Sequence, residues 1–423
     1  MGKLHRRRWT PSYEPSLPRR ARQGCDYEAY VPDPLDGLTL QIDGQVAADI
    51  ADAERDVRAL AAPGRSVAAI EALSRFLVRA EAVASSRIEG LEVGARRLAH
   101  AEIAEREGWP IDDDTASDVI GNVAAVRQAV EQGGRDGNIV VDDLHALHRT
   151  LLTGERQFTV GAARDVQNWI GTSPYNPCAA DFVPPPPEMV DDLLDDLVAY
   201  VNGDDHPPLV QAAISHAQFE TIHPYADGNG RVGRALIHIV LTRRGLTSGP
   251  VLPVSLALAT ARRQYIAGLT AYRFVGDAGT AEANEAIGSW LEVFASACQR
   301  AVVDAQWLVE RYDSLIDSYR ASLGSVRPHS TVAELLERIG ELPVLTVEHA
   351  AAHLGRSFEA ANNAVTRLVE VGALTESTGG RRNRVFEARD LLELVTSAER
   401  RLASPGADTR ASPPVRRVPH RPS

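Results

Sequence analysis

One stretch limits the fold of this chain more than any other: His223-Pro224-Tyr225-Ala226-Asp227-Gly228-Asn229-Gly230-Arg231-Val232-Gly233-Arg234. An apolar-periodic segment leads up to Ile222, and Pro224 opposes its continuation as helix. Asp227-Gly228-Asn229-Gly230 is turn chemistry, because Gly and Asn accept positive φ and let backbone approach a ligand. Helical periodicity then resumes, with Val232, Ala235, Leu236, Ile239 and Val240 on one face. Arg231 and Arg234 share another face at its first turn. The spacing predicts helix, short Gly-rich loop, helix.

Free backbone N–H groups at a helix N-terminus form an anion site, and two arginines add bidentate phosphate donors. Asp227 is a hard oxygen ligand beside that site, suited to Mg²⁺ shared with phosphates. His223 stands at the opposite end of the loop, where a general base can meet an incoming hydroxyl. A lone Gly-rich loop or a lone histidine is an ordinary structural feature. Together these groups point to a site that holds a polyphosphate and deprotonates a nucleophile.

The same residues resemble the signature of Fic-domain proteins, H-x-F-x-[D/E]-G-N-G-R-x-x-R. The one departure is Tyr225 in place of the usual Phe. The resemblance implies transfer of AMP from ATP to a Ser, Thr or Tyr hydroxyl of a protein, this chain itself included. It places the phosphates on Gly228, Asn229, Gly230, Arg231 and Arg234, Mg²⁺ on Asp227, and the base at His223.

Upstream, Ser85-Ser86-Arg87-Ile88-Glu89-Gly90 has Ser85 and Glu89 one helical turn apart, with Gly90 as a helix stop. Alone it is a routine helix end. It also resembles the family's inhibitory motif, [S/T]-x-x-x-E-[G/N]. The resemblance implies an N-terminal inhibitory helix whose Glu89 pairs with Arg234 and obstructs productive ATP placement.

The length of 423 residues predicts two or three domains, and a hydrophobic content of 44% is enough for real cores. A net charge of -12 argues against nonspecific coating of nucleic acid by the whole chain. Cys25, Cys178 and Cys298 are far apart and suggest neither a disulfide framework nor a zinc site. Arg6, Arg7 and Arg8 precede no apolar run, and no segment reaches the ~20 apolar residues of a membrane span. The expectation is a soluble, cytoplasmic protein with no membrane partner.

Residues 1–40 lack periodicity and read as extended chain on a domain surface or as a disordered tail. Helices are expected over 46–62, 66–84, 115–132, 141–153, 187–202, 208–222, 231–244 and 260–274, with one or two more over 280–323. His145 and His148 read as structural, and Asp191, Asp192, Asp195 and Asp196 as a solvated face. The run from 160 to 187 suggests a β-hairpin or a connecting loop. The resemblance makes it the flap that aligns a target segment by strand pairing. It also sets Tyr265 near the nucleotide, although a helical Tyr is more often core.

Residues 330–396 read as helix, helix, Ser357-led helix and two strands with a basic tip, resembling a winged helix-turn-helix. Arg356, Arg367, Arg381, Arg382 and Arg384 can meet DNA phosphates; such a module can equally join two copies of the chain or hold a protein partner. The fold class expected is mainly α: a Fic-type helical core with a short hairpin flap, plus the winged helix. The expected organisation is 1–114 N-terminal segment with inhibitory helix, 115–300 core, 301–328 linker helix, 329–398 winged helix and 399–423 disordered tail. Adenylyl transfer autoinhibited by Glu89 is the leading activity. Its rivals are AMP removal assisted by Glu89, transfer of another phosphate-containing group as the resemblance also allows, and a nucleotide-sensing DNA-binding regulator.

Overall fold

The computed structural model describes residues 1–10, 22, 24–60, 67–155, 158–171, 175–247, 251–377 and 384–403. In chain order these form β1 (Gly2–Trp9), β2 (Cys25–Pro32), α1 (Gly44–Ala59), α2 (Val67–Ile88), α3 (Ala95–Glu107), α4 (Asp114–Gly133), α5 (Val141–Leu151), β3 (Ile170–Gly171), β4 (Ala180–Phe182), α6 (Val190–Asn202), α7 (Pro208–Ile222) and α8 (Asn229–Arg243). There follow α9 (Val254–Thr260), α10 (Arg262–Tyr272), α11 (Ala281–Leu323), α12 (Thr331–Glu337), β5 (Val344–Thr346), α13 (Val347–Leu354), α14 (Phe358–Glu370), β6 (Thr375–Glu376), β7 (Val385–Glu387) and α15 (Arg389–Ala403). The fold is mainly α, as the helical periodicities predict. Two units emerge, one of Met1–Ala61, Gly121–Ser248 and Ala261–Gln299, the other of Ala62–Ile120, Gly249–Thr260 and Arg300–Ser423. No helix among the described residues is long and apolar enough to cross a membrane.

In the first unit α7 is buried from Leu209 to Ile222, the pattern of a helix surrounded by others. Its main neighbour is α8. A Cβ at Gly233 would stand 2.7 Å from Glu220 Oε1 and 3.0 Å from Phe219, so the absence of a side chain lets the two helices meet. Trp290 of α11 is fully buried and its indole N–H donates to the Ala213 carbonyl of α7 at 2.9 Å. Helix α6 buries Val190, Leu193, Leu194, Leu197 and Val198. Its acidic face is not wholly solvated: Asp196 accepts the N–H groups of Leu35 and Asp36 at 2.7 and 3.2 Å and anchors the N-terminal segment.

Two stretches of that segment are held by pairing. Strands β1 and β2 form an antiparallel hairpin from Gly2↔Pro32 to Trp9↔Cys25. Tyr30 N–H donates to the Val183 carbonyl at 2.9 Å, just past β4. The cysteine reading needs correction: Cys25 and Cys178, 153 positions apart, are joined by a disulfide. Sequence spacing carries no pairing information; Cys25 opens β2, and Cys178 lies in a short turn just before β4.

The second unit has its own core, with Leu73, Phe76 and Leu77 of α2, Ala95, Ala99 and Ile103 of α3, and Leu335, Leu368, Phe386 and Leu391 farther on. Sequence reading passed over α3, whose apolar positions are diluted by Arg, His and Glu. It is bounded by Gly94 and by Gly108 at φ 68°. The sheet order is β5-β7-β6, antiparallel throughout. Ser357 caps α14 as its spacing predicts, accepting the Ala360 N–H at 3.2 Å. Glu387, fully buried at the end of β7, accepts Arg96 at 2.8 and 3.0 Å, His100 at 3.1 Å and Arg389 at 2.6 Å. Burial alone would raise this carboxyl; the hydrogen bonds from Arg96, Arg389 and His100 hold it down at about 2.

Candidate active site

Helix α7 ends at His223, its C-cap, at φ 50° and ψ 59°. This left-handed conformation is uncommon for a residue with a Cβ and requires support from its surroundings. The Pro224 ring blocks another turn of helix, and the chain doubles back to Gly228. Gly228 also lies in the left-handed region, at φ 76°. A Cβ there would meet Leu151 at 3.0 Å, so glycine serves both the turn and the packing. Helix α8 starts at Asn229.

The loop is closed from within by Asn229, which is 3% exposed. Its Oδ1 accepts Tyr225 N–H at 2.8 Å and its Nδ2 donates to the Tyr225 carbonyl at 2.7 Å. The Asn229 side chain therefore shapes the loop. The Tyr225 hydroxyl, the departure from the family pattern, has a partner: His145 Nδ1 lies 3.1 Å away. The Tyr225 ring stacks on His148 at 3.9 Å between centroids. Gly161 N–H donates to His148 Nδ1 at 2.9 Å, which places the His148 proton on Nε2, 3.1 Å from the Asp227 carbonyl. Burial pulls His148 down to about 4 and pushes the Tyr225 phenol well up, so both are neutral struts at ordinary pH.

Arg231 is 4% exposed. Its Nη2 lies 3.5 Å from Asp227 Oδ2, while its Nε and Nη1 meet no acceptor among the described residues. A buried guanidinium with spare donors in the first turn of a helix is set up for an anion. Asp227 keeps a side chain 61% exposed. Among the described residues no group of three or more His, Cys, Asp and Glu could hold a metal alone. One carboxylate still fits a hard cation that arrives with phosphate and water oxygens. Arg234 is 1% exposed.

Other expected site residues stand differently. Tyr265 is a core side chain, 3% exposed, with its hydroxyl 2.8 Å from His216 Nε2, so its geometry is that of packing. Ser85 is buried in the last turn of α2, and the helix stops at Ile88, which puts Glu89 in the following turn with Gly90 at φ 85°. Ile170 of β3 pairs with Phe182 of β4, giving the expected hairpin two short strands. Of the arginines offered for DNA, Arg356 is bidentate to Glu334, Arg367 donates to the Leu323 carbonyl, and Arg384 pairs with Glu376. Arg381 and Arg382 lie outside the described residues.

Sequence reasoning missed two side chains at the site. Arg164, 6% exposed, donates from Nε to the His223 carbonyl at 2.9 Å. Asn168 Nδ2 reaches the same carbonyl at 3.3 Å and the Tyr225 carbonyl at 3.0 Å. Burial pulls Arg164 down to about 10, which leaves it charged at neutral pH. Backbone acceptors have no sequence signature, and the only signal was an Arg and an Asn in a segment read as extended.

Residues 138–241 match the Fic/DOC family, and residues 47–131 match the Fic/DOC family N-terminal region. The chain carries a Fic domain. Its match spans α5 to α8 and thus holds His223, the loop and Arg231. Protein adenylyltransferase fic-1 of Caenorhabditis elegans is 32% identical over 134 residues, 31% of this chain and 23% of that protein. A probable protein adenylyltransferase of Aquifex aeolicus is 43% identical over 68 residues, 16% of this chain and 21% of that protein. The chain thus spans less than a quarter of the length of these relatives. A Fic family protein structure from Desulfovibrio desulfuricans aligns with TM-score 0.48 at 19% identity, over 83% of this chain and 98% of that one.

Proposed function

We propose that this protein is an adenylyltransferase that moves AMP from ATP to a Ser, Thr or Tyr hydroxyl of a protein. The observation that carries the reading is Arg231: a buried guanidinium with two donor nitrogens unmatched among the described residues, one loop away from a histidine held at positive φ. The adenylyltransferase names of these relatives support it.

In the proposed reaction the phosphates lie on Gly228, Asn229 and Gly230 at the N-terminus of α8 and on Arg231 and Arg234. Mg²⁺ beside Asp227 would neutralise phosphate charge when bound. His223 takes the proton from the acceptor hydroxyl. The hydroxyl oxygen forms the new bond to the α-phosphorus, the bond to the bridging oxygen breaks, and pyrophosphate leaves. Positioning and charge stabilisation supply most of the rate, as in phosphoryl transfer generally. Glu89 is proposed to restrain this by pairing with Arg234. We read the module from α12 to β7 as a winged helix that serves protein contacts. The exposed face of α14 carries Glu359 and Glu370 against Arg367, a poor match for DNA phosphates.

Calorimetry tests the central observation. MgATP should bind the wild-type chain, and Arg231→Ala should weaken binding roughly 10–100-fold, the loss expected for charge-assisted hydrogen bonds. Equal affinity in the two proteins would remove the support on which the reading rests.

A further inference from the structure

Four consecutive carbonyls around His223 accept hydrogen bonds from two side chains and one N–H of a distant segment. Ile222 and His223 accept from the Arg164 guanidinium at 3.4 and 2.9 Å, and Pro224 from the Arg164 N–H at 2.8 Å. His223 and Tyr225 accept from Asn168. The last carbonyls of a helix lack intrahelical partners, and a cation is favoured at that negative end of the dipole. The same guanidinium also reaches the hairpin. Arg164 Nη1 donates to the Val166 carbonyl at 3.1 Å and Nη2 to the Pro185 carbonyl at 2.6 Å. Val166 lies before β3 and Pro185 after β4, so one buried group ties both arms of the hairpin to the end of α7.

We propose that Arg164 and Asn168 are positioning residues for His223, and that they join the β3–β4 hairpin and the base into one mechanical piece. This rests on the reading of His223 as the base. A residue with a Cβ keeps a positive φ only where its surroundings enforce it. Here the enforcement comes through the carbonyl of His223. Neither Arg164 nor Asn168 needs to touch ATP. Their effect should fall on the geometry of proton removal, where a displacement near 1 Å costs about 10²-fold in rate. The coupling also means that a segment seated on the hairpin bears on the orientation of the base.

The test uses the full chain as Asn168→Ala, as Arg164→Lys and as wild type, each checked for cooperative melting. Asn168→Ala deletes only two hydrogen bonds and keeps the proposal testable if Arg164→Lys fails to fold. The first readout needs no acceptor protein: the His223 Cε1–H signal in ¹³C-histidine NMR, assigned with His223→Ala. It should shift or broaden in both variants, while the signals of His206 and His329 stay. The second is incorporation of α-labelled AMP into the chain itself. Its kcat should fall about 10–10²-fold with the KM for ATP within about twofold. Asn168→Ala with His223→Ala should be no slower than His223→Ala alone, since both act through one group. An unmoved His223 signal in the variants overturns the proposal, whatever the activities. Full transfer by His223→Ala would instead remove the base reading, and the NMR signal would still decide the positioning claim.

Discussion

Asn229→Ala separates two roles that the side chain could have. The sequence pattern sets Asn229 among the phosphate contacts; the structure turns its amide inward onto Tyr225. Deletion leaves the Tyr225 carbonyl with Asn168 but deprives the Tyr225 N–H of its acceptor where Tyr225 is fully buried. An orphaned buried donor costs about 1–3 kcal/mol, and the bond lost at the carbonyl about 1 kcal/mol more. The sum, about 2–4 kcal/mol, should lower Tm by roughly 5–15 °C for a unit of this size. Asn229→Asp should not rescue it: the acceptor for Tyr225 N–H survives, but an oxygen then faces the Tyr225 carbonyl. Thermal melting and MgATP calorimetry on both variants make the assay. A lowered Tm with a loop-wide loss of transfer, about 10²-fold, agrees with the structural role. An unchanged Tm together with a selective loss of ATP affinity would refute it and return the side chain to the nucleotide.

Three further outcomes follow from particular contacts. Glu89→Gly should raise AMP incorporation by up to ~10²-fold if Glu89 misplaces the phosphates; unchanged incorporation with lost AMP removal from a modified protein would make Glu89 a hydrolytic residue. Glu387 has a folded pKa of about 2, below the ordinary value of 4.5, so its stabilisation is complete above pH 4.5 and is lost as pH falls through 2; acid titration of stability should show this window in wild type and lose it in Glu387→Gln. Cys178→Ser should lower stability by about 2–4 kcal/mol, given the long loop closed by Cys25–Cys178, and reductant should lower the wild-type Tm but leave the variant unmoved.

Legibility in the sequence followed the reach of each interaction. The turn at Gly228, the helix restart (expected at 231, observed at Asn229) and the first-turn place of Arg231 are local, and the order of residues dictated them to within two positions. The structural reading of His145 and His148 is supported by their contacts, His145 with the Tyr225 hydroxyl and His148 with the Tyr225 ring, Gly161 and Asp227. What escaped was held by long-range backbone contacts. Arg164 lies 59 positions from the carbonyl it grips, and a carbonyl belongs to every residue type. Asp196 looked like one more solvated acid because its partners are the N–H groups of Leu35 and Asp36. Tyr265 was assigned to the nucleotide by resemblance, whereas burial beside His216 and Trp290 makes it core. Helix α15 runs to Ala403, past the point at 399 where the tail was expected to begin.

The most direct measurement of the central claim compares α-labelled with γ-labelled ATP, using the wild-type, Glu89→Gly and His223→Ala chains with Mg²⁺. Adenylyl transfer predicts covalent α-label, release of pyrophosphate and an intact mass raised by one AMP, strongest in Glu89→Gly. His223→Ala should bind ATP nearly as wild type does and lose about 10²–10⁴-fold of the transfer, the usual worth of a general base. Covalent γ-label, or α-label incorporated equally by His223→Ala, would contradict the account.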